Sequence, residues 1–143
     1  METSLIWFGN NLRVHDNEAL HSAAKAKKVI AMYFFDPRHF QINSFGFKKT
    51  ERFRAKFLLE TVHQLKRDLE KLNIVLLVYH EKPEDKIPEL VERFNINTIF
   101  LQNEWTSEEE HVVQTVENRV PNSVSFHKTF DQFLFHPDDI LFD

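Results

Sequence analysis

The chain has 143 residues, 42% hydrophobic content and a net charge of −4, which suits one globular domain with a core of its own. It holds no cysteine, so a disulfide framework, a zinc–thiolate site and a thiol nucleophile are excluded. The acidic balance argues against a domain that itself grips a phosphate backbone.

No basic segment precedes a long apolar one in METSLIWFGNN, and no apolar run approaches the roughly 20 residues that span a bilayer. The expectation is a cytoplasmic chain with no membrane contact. β-Branched and aromatic runs predict strands at Ser4–Phe8, Val29–Phe35, Ile74–His80, Thr98–Leu101 and Val124–His127. A first helix is expected from Glu18 to about Ala26, with Asp16 and Asn17 as candidate caps. Arg13 and Asp16 read as an ion pair that orders the turn before it. A long second helix is capped by Thr50, and Phe53, Phe57, Leu58, Val62, Leu65, Leu69 and Leu72 trace one apolar stripe along it.

The third helix begins near Pro83 and carries Ile87, Leu90, Val91 and Phe94 on one face, with Pro88 marking a kink or a later start. In the fourth, Ser107 and Glu110 form a capping box ahead of Val112, Val113, Val116 and Val120. Basic clusters at Lys25, Lys27 and Lys28, and at Arg52, Arg54 and Lys56, sit at helical spacing and read as solvated helix faces. The β–α alternation points to a mostly parallel sheet with helices on both faces. The closing FDQFLFHPDDILFD is aromatic and proline-broken, and it reads as the approach to a further domain.

Ligands of an open α/β sheet sit outside the carboxyl ends of the strands. The loops to inspect are Gly9-Asn10-Asn11, Asp36 to Phe40, and Gln102 to Thr106. Two glycines in the whole chain are too few for a dinucleotide fingerprint or a P-loop. The eight histidines show no metal-ligand spacing, and His111 reads as a solvated helix residue. No nucleophile–base pair stands out, so no catalytic or metal residue is assigned. Glu108, at the first helical position of the fourth helix, has two readings: a partner of the helix dipole, or an acceptor for an amino-bearing heteroaromatic ligand.

WFGNNLRVHDNEAL resembles the N-terminal signature of the photolyase/cryptochrome family. FGFKKTERFRAKFLLETVHQLKRDLEKL, NEWTSEEEHV and the closing LFHPDD are similar to the DASH branch of cryptochromes, so the resemblance runs the length of the chain. It implies a three-layer α/β/α Rossmann-like (flavodoxin-like) domain with a five-stranded parallel sheet of order 3-2-1-4-5. Residues 1–130 would form that N-terminal domain. Residues 131–143 would begin a linker to a C-terminal FAD-binding helical domain that lies outside this chain.

The family also implies a role. This domain would house an antenna, methenyltetrahydrofolate or a deazaflavin, with Glu108 as the folate-contacting carboxylate and Phe35, Asp36, Gln102, Asn103 and Glu104 lining the same mouth. The parent would use blue light and FAD as a deoxyribodipyrimidine photolyase, repairing cyclobutane pyrimidine dimers chiefly in single-stranded DNA, or would signal. DNA would be held by the absent domain only, and the chain by itself would be non-catalytic and bind no cofactor. Trp7 would be core rather than part of an electron relay. The family's arginine and aspartate are replaced here by Gly9 and Asn11, which makes the turn a less charged wall than usual. The aromatic tail, with Phe130, Phe133, Phe135 and Phe142, offers a surface for self-association. The competing reading is a stand-alone nucleotide- or partner-binding module built like universal stress proteins.

Overall fold

The computed structural model describes residues 3–140. Five parallel strands, β1 (Thr3–Phe8), β2 (Lys28–Phe34), β3 (Val75–Tyr79), β4 (Ile96–Gln102) and β5 (Ser125–Thr129), lie in the order β3-β2-β1-β4-β5. Alternation along the central strand divides the core. Leu5 and Trp7 of β1 face a cluster with Ile87, Leu90, Val91 and Val116, while Ile6 and Phe8 face one with Ala19, Leu20, Val62, Leu65 and Leu69. Helices α3 (Pro83–Phe94) and α4 (Ser107–Arg119) thus cover one face, and α1 (Glu18–Ala23) and α2 (Arg52–Lys71) the other. This is the expected three-layer α/β/α domain. Trp7 is core, edge-on to Phe34 at 6.4 Å.

The helix ends depart from the expected boundaries. Of the two candidate caps for α1, Asn17 does the work: its Oδ1 accepts from Leu20 N at 3.0 Å, while its Nδ2 donates to the carbonyls of Asn11 and Arg13. The helix ends at Ala23, three residues before Ala26, so Lys25 and Lys27 lie in a turn and Lys28 opens β2 instead of sharing a helix face. Arg13 does not pair with the Asp16 carboxylate; its Nε donates to the Asp16 carbonyl at 3.0 Å, and Asp16 adopts φ 48°.

Thr50 does not cap α2. Glu51 holds that position without a side-chain bond, and Thr50 is buried with its N–H donated to the His39 carbonyl. The apolar stripe of α2 is buried only at Val62, Leu65 and Leu69, while Phe53, Phe57 and Leu72 are exposed. Length accounts for Phe53 and Phe57: the 20-residue helix is about 30 Å long, whereas the 6-residue β1 spans about 20 Å, so its first turns overhang the sheet; Leu72 is the C-cap past the helix end.

Pro88 does not delay the start of α3: the helix runs unbroken from Pro83 through it. The Glu84 carbonyl, which Pro88 cannot serve for lack of an N–H, instead accepts from Arg119 Nη1 of α4 at 3.0 Å. Asn95 then stops the helix in the left-handed region at φ 50°. The capping box of α4 sits one residue earlier than the sequence reading puts it. Thr106 Oγ1 accepts from Glu109 N at 3.3 Å and donates to the Glu109 carboxylate at 2.7 Å, so Ser107 and Glu110 do not form the box.

Candidate functional site

Strand order reverses between β1 and β4, and the mouth of the sheet opens over their carboxyl ends. It has two sides. On the β1/β4 side, Glu104 reaches back over the turn after β1. Its carboxylate accepts from Asn10 N at 3.2 Å, from Asn10 Nδ2 at 3.1 Å and from Gln102 Nε2 at 3.5 Å. Asn10 Nδ2 also bridges to Glu109 at 3.1 Å. A Cβ on Gly9 would lie 2.8 Å from Glu104 Oε1, so the missing side chain is what lets the carboxylate lie flush on the turn. Burial pushes the Glu104 carboxyl above its ordinary value. The Asn10 hydrogen bonds oppose this rise, and the neighbouring Glu109 charge adds to it.

Beneath this turn Asn11 is fully buried. Its Oδ1 accepts from Gly9 N at 3.1 Å, and its Nδ2 has no partner. A carboxylate would place a charge there, and the asparagine leaves a neutral donor.

On the β2 side, Phe34 gives way to Phe35 and Asp36. Asp36 is buried and caps the short 3-10 turn Pro37–His39 through Arg38 N at 2.9 Å. The Arg38 guanidinium lies between two carboxylates, with Nη2 2.5 Å from Asp36 and Nη1 2.7 Å from Glu84 of α3. Burial alone would raise the Asp36 pKa, but the Arg38 hydrogen bonds outweigh it and hold the carboxyl below the usual range. Asp36 is therefore fully engaged in tying β2 to α3. Phe35 packs edge-on to Tyr33 at 5.0 Å and against Phe40 at 6.3 Å.

Glu108 stands at the second helical position of α4, not the first, and its side chain is 74% exposed. It is paired with Lys49 from the segment before α2, whose hydrogen bond lowers the Glu108 pKa and keeps it ionised. Asn103 contributes its backbone, donating N–H to the Thr129 carbonyl at 2.8 Å. His111 is exposed on α4. The structure thus brings Gln102 and Glu104 into direct contact and sets Glu108 apart from them, across the mouth with Lys49. Sequence reasoning missed Gly9 and Asn10 as the seat of Glu104, and Lys49 and Glu84 as partners of site residues. Lys49 lies inside the FGFKKT stretch that carried the resemblance, and that was the one available signal for it.

Other surfaces surround the mouth. The overhang of α2 exposes Phe53 and Phe57, and Phe45 and Phe47 stack at 6.3 Å in the loop before it. A groove of about 440 Å³ between α2 and the β1–α1 loop is lined by Leu12, Val14, His15, Phe57 and Leu65, among others, and by none of the expected site residues. In the tail, Trp105 packs on Phe130 and Phe133, and Phe135 is exposed; Phe142 lies outside the described residues. Among the described residues there is no cluster of metal ligands and no helix long and apolar enough to cross a membrane.

A doubly wound domain with its mouth between β1 and β4 defines the class. Residues 4–143 match the DNA photolyase family model. A cryptochrome DASH from Gloeobacter violaceus is 44% identical over 99% of this chain and 29% of its own length, and one from Danio rerio is 39% identical over 93% and 26%. The crystal structure of a Synechocystis cryptochrome superposes with a TM-score of 0.94 at 35% identity, covering 99% of this chain and 30% of that one. The chain belongs to the photolyase/cryptochrome family, in its DASH branch, and matches the N-terminal photolyase domain. It spans less than a third of the length of these relatives. Neither the family model nor these relatives support the stand-alone nucleotide-binding reading.

Proposed function

We propose that this chain is the antenna-chromophore domain of a DASH-type cryptochrome or photolyase and is non-catalytic alone. The observation that carries the reading is Glu108: an exposed carboxylate, kept ionised, on the first turn of α4 at the mouth of the sheet. An ionised carboxylate is acceptor-only and fits the adjacent N–H donors of a pterin edge. The folate, when bound, would absorb near-ultraviolet light and pass the excitation on. The chain's own part would be to hold and orient it through Glu108, with Lys49 displaced or drawn to the ligand's carboxylates. A deazaflavin is the other antenna of the class. Phe35, Gln102, Asn103 and Glu104 would border the site, and Asp36 would support it through Arg38.

The parent would carry FAD in a C-terminal helical domain reached through a linker that begins at residues 131–143. It would act on cyclobutane pyrimidine dimers, chiefly in single-stranded DNA where a lesion is most easily flipped out, or would signal. DNA would meet that domain only. The cysteine-free composition suits the reducing cytoplasm, where we place the protein.

The test is Glu108→Gln in the full-length protein. The fold should persist, because the capping residues Thr106 and Glu109 are untouched. Folate affinity should fall by about 1.5–3 kcal/mol, the range for hydrogen bonds to a charged group. Near-ultraviolet absorbance after reconstitution reads folate occupancy, with flavin content as the control. Unchanged folate occupancy would reduce Glu108 to a helix-dipole partner.

A further inference from the structure

Strands β3 and β5 form the two outer edges of the sheet, and they differ in what they show to solvent. The sequence of β5, SFHKT, carries His127 and Lys128, and charge of that kind keeps sheet edges apart. That of β3, VLLVY, holds no charge, no proline and no glycine, and its pairing to β2 runs from Val75 to Tyr79 without a bulge. The register decides which backbone groups face outward. Phe35 N–H donates to the Tyr79 carbonyl at 2.8 Å, so the backbone of Tyr79 points to β2. Strand residues alternate, so Leu77 and Val75 do the same, while the N–H and C=O of Leu76 and Val78 point away from the sheet. Among the described residues those groups have no backbone partner. The side chains beside them are apolar, with Val75 62% exposed and Val78 41% exposed.

We propose that the outer edge of β3 is a docking surface for a second copy of this chain, the two β3 strands pairing antiparallel about a two-fold axis at Leu77. A strand that meets its own copy across a two-fold axis does so antiparallel, by symmetry. With Leu77 opposite its copy, Leu76 stands opposite Val78 of the partner subunit, and the two exchange both N–H···O=C bonds. The outward groups of both copies are then all satisfied. Val75 comes beside Tyr79 of the partner subunit, a β-branched–aromatic pair of the kind that stabilises sheets. The flanks match in charge. Antiparallel pairing brings the amino-end flank of one strand to the carboxyl-end flank of the other, so the exposed Lys71 meets the exposed Glu81 of the partner subunit at both ends. A five-residue strand spans about 17 Å, which keeps the contact at the low end of the interface range and the dimer weak and reversible. The edge lies two strands from β1, so the pairing leaves the mouth and Glu108 untouched and does not rest on the antenna reading.

The test is sedimentation equilibrium of the 143-residue chain over a wide range of concentration, joined to amide NMR on the same samples. A monomer–dimer equilibrium is expected, with concentration-dependent shifts and slowed exchange at the amides of Leu76 and Val78 and no change at Glu108. Val78→Pro removes an outward N–H and no rung to β2, so the fold should persist while association weakens at least about ten-fold, from the bonds lost in both copies. Should the proline variant fold poorly, Val78→Lys keeps the backbone intact and sets like charges diagonally across the axis, with a similar weakening expected. A chain that stays monomeric at the highest concentration would overturn the proposal. So would dimers whose shifts fall on Trp105 and Phe133 of the aromatic tail while Leu76 and Val78 stay unmoved, or undiminished association in the folded Val78→Lys variant.

Discussion

The two sides of the mouth handle their carboxylates in opposite ways. On the β2 side, Asp36 and Glu84 share the forked guanidinium of Arg38, and the Asp36 pKa falls. On the β1/β4 side, Glu104 is held by amides alone and its pKa rises. Both lie at the mouth of one sheet, with Asp36 and Glu84 buried and Glu104 half-buried. What separates them is whether a cation is built in. The first side carries its own cation, and on the second, among the described residues, neutral amides alone hold the carboxylate.

The largest expected effect comes from breaking the finished side. Arg38→Ala strands two buried carboxylates and should cost about 3 kcal/mol in urea unfolding, the low end for breaking a buried pair, because the arginine is partly exposed. The wild-type sign follows from the depressed Asp36 pKa. Its stabilisation is present above the unfolded carboxylate value and is lost as pH falls through the lower folded value, so the gap between wild type and Arg38→Ala should narrow on acidification. A gap that stayed constant with pH would show that the arginine acts by packing alone.

Removing the bond from α4 to α3 should come next. Arg119→Ala leaves the Glu84 carbonyl without a donor and breaks the 2.6 Å pair with Asp85, for a loss of about 1–2 kcal/mol by the same measurement. Glu104→Gln should move stability the other way. A raised folded pKa means that the stabilising contribution is complete below the unfolded carboxylate value and is lost as pH rises through the folded one. The glutamine variant should therefore melt about 2 °C higher at neutral pH, and the gain should vanish in acid. A variant that melts lower at neutral pH would erase the contrast between the two sides. Smallest of all, Lys49→Ala should leave the melting temperature within about 1 °C, since both members of its ion pair are exposed.

The sheet, its order and the division of helices between its faces were legible because strand alternation and helical period are local signals. Boundaries were less so. Ser107–Glu110 and Thr106–Glu109 both satisfy the spacing of a capping box, and only the path of the chain out of β4 selects the second pair. The stripe on α2 is real along its length, but periodicity carries no information on where the underlying sheet stops, so Phe53 and Phe57 looked like core. At the mouth, the loops could be read from the strand ends, and Glu108 was singled out by its helix position and the resemblance. The partners could not, because Glu104 meets Asn10 across 94 positions and Arg38 meets Glu84 across 46. Contacts of that range leave no pattern in a single sequence.

The bond from Arg119 to the Glu84 carbonyl also bears on the order in which the molecule comes together. Helix α3 contains a proline that strips one rung from its own ladder, and the replacement donor comes from a side chain 35 residues further along. During synthesis α3 therefore emerges incomplete and stays so until β4 has joined the sheet and the last turn of α4 has left the ribosome. The half of the domain from β3 to α4 is therefore expected to open and close as one unit in native-state amide exchange, with early collapse of α3 alone gaining little.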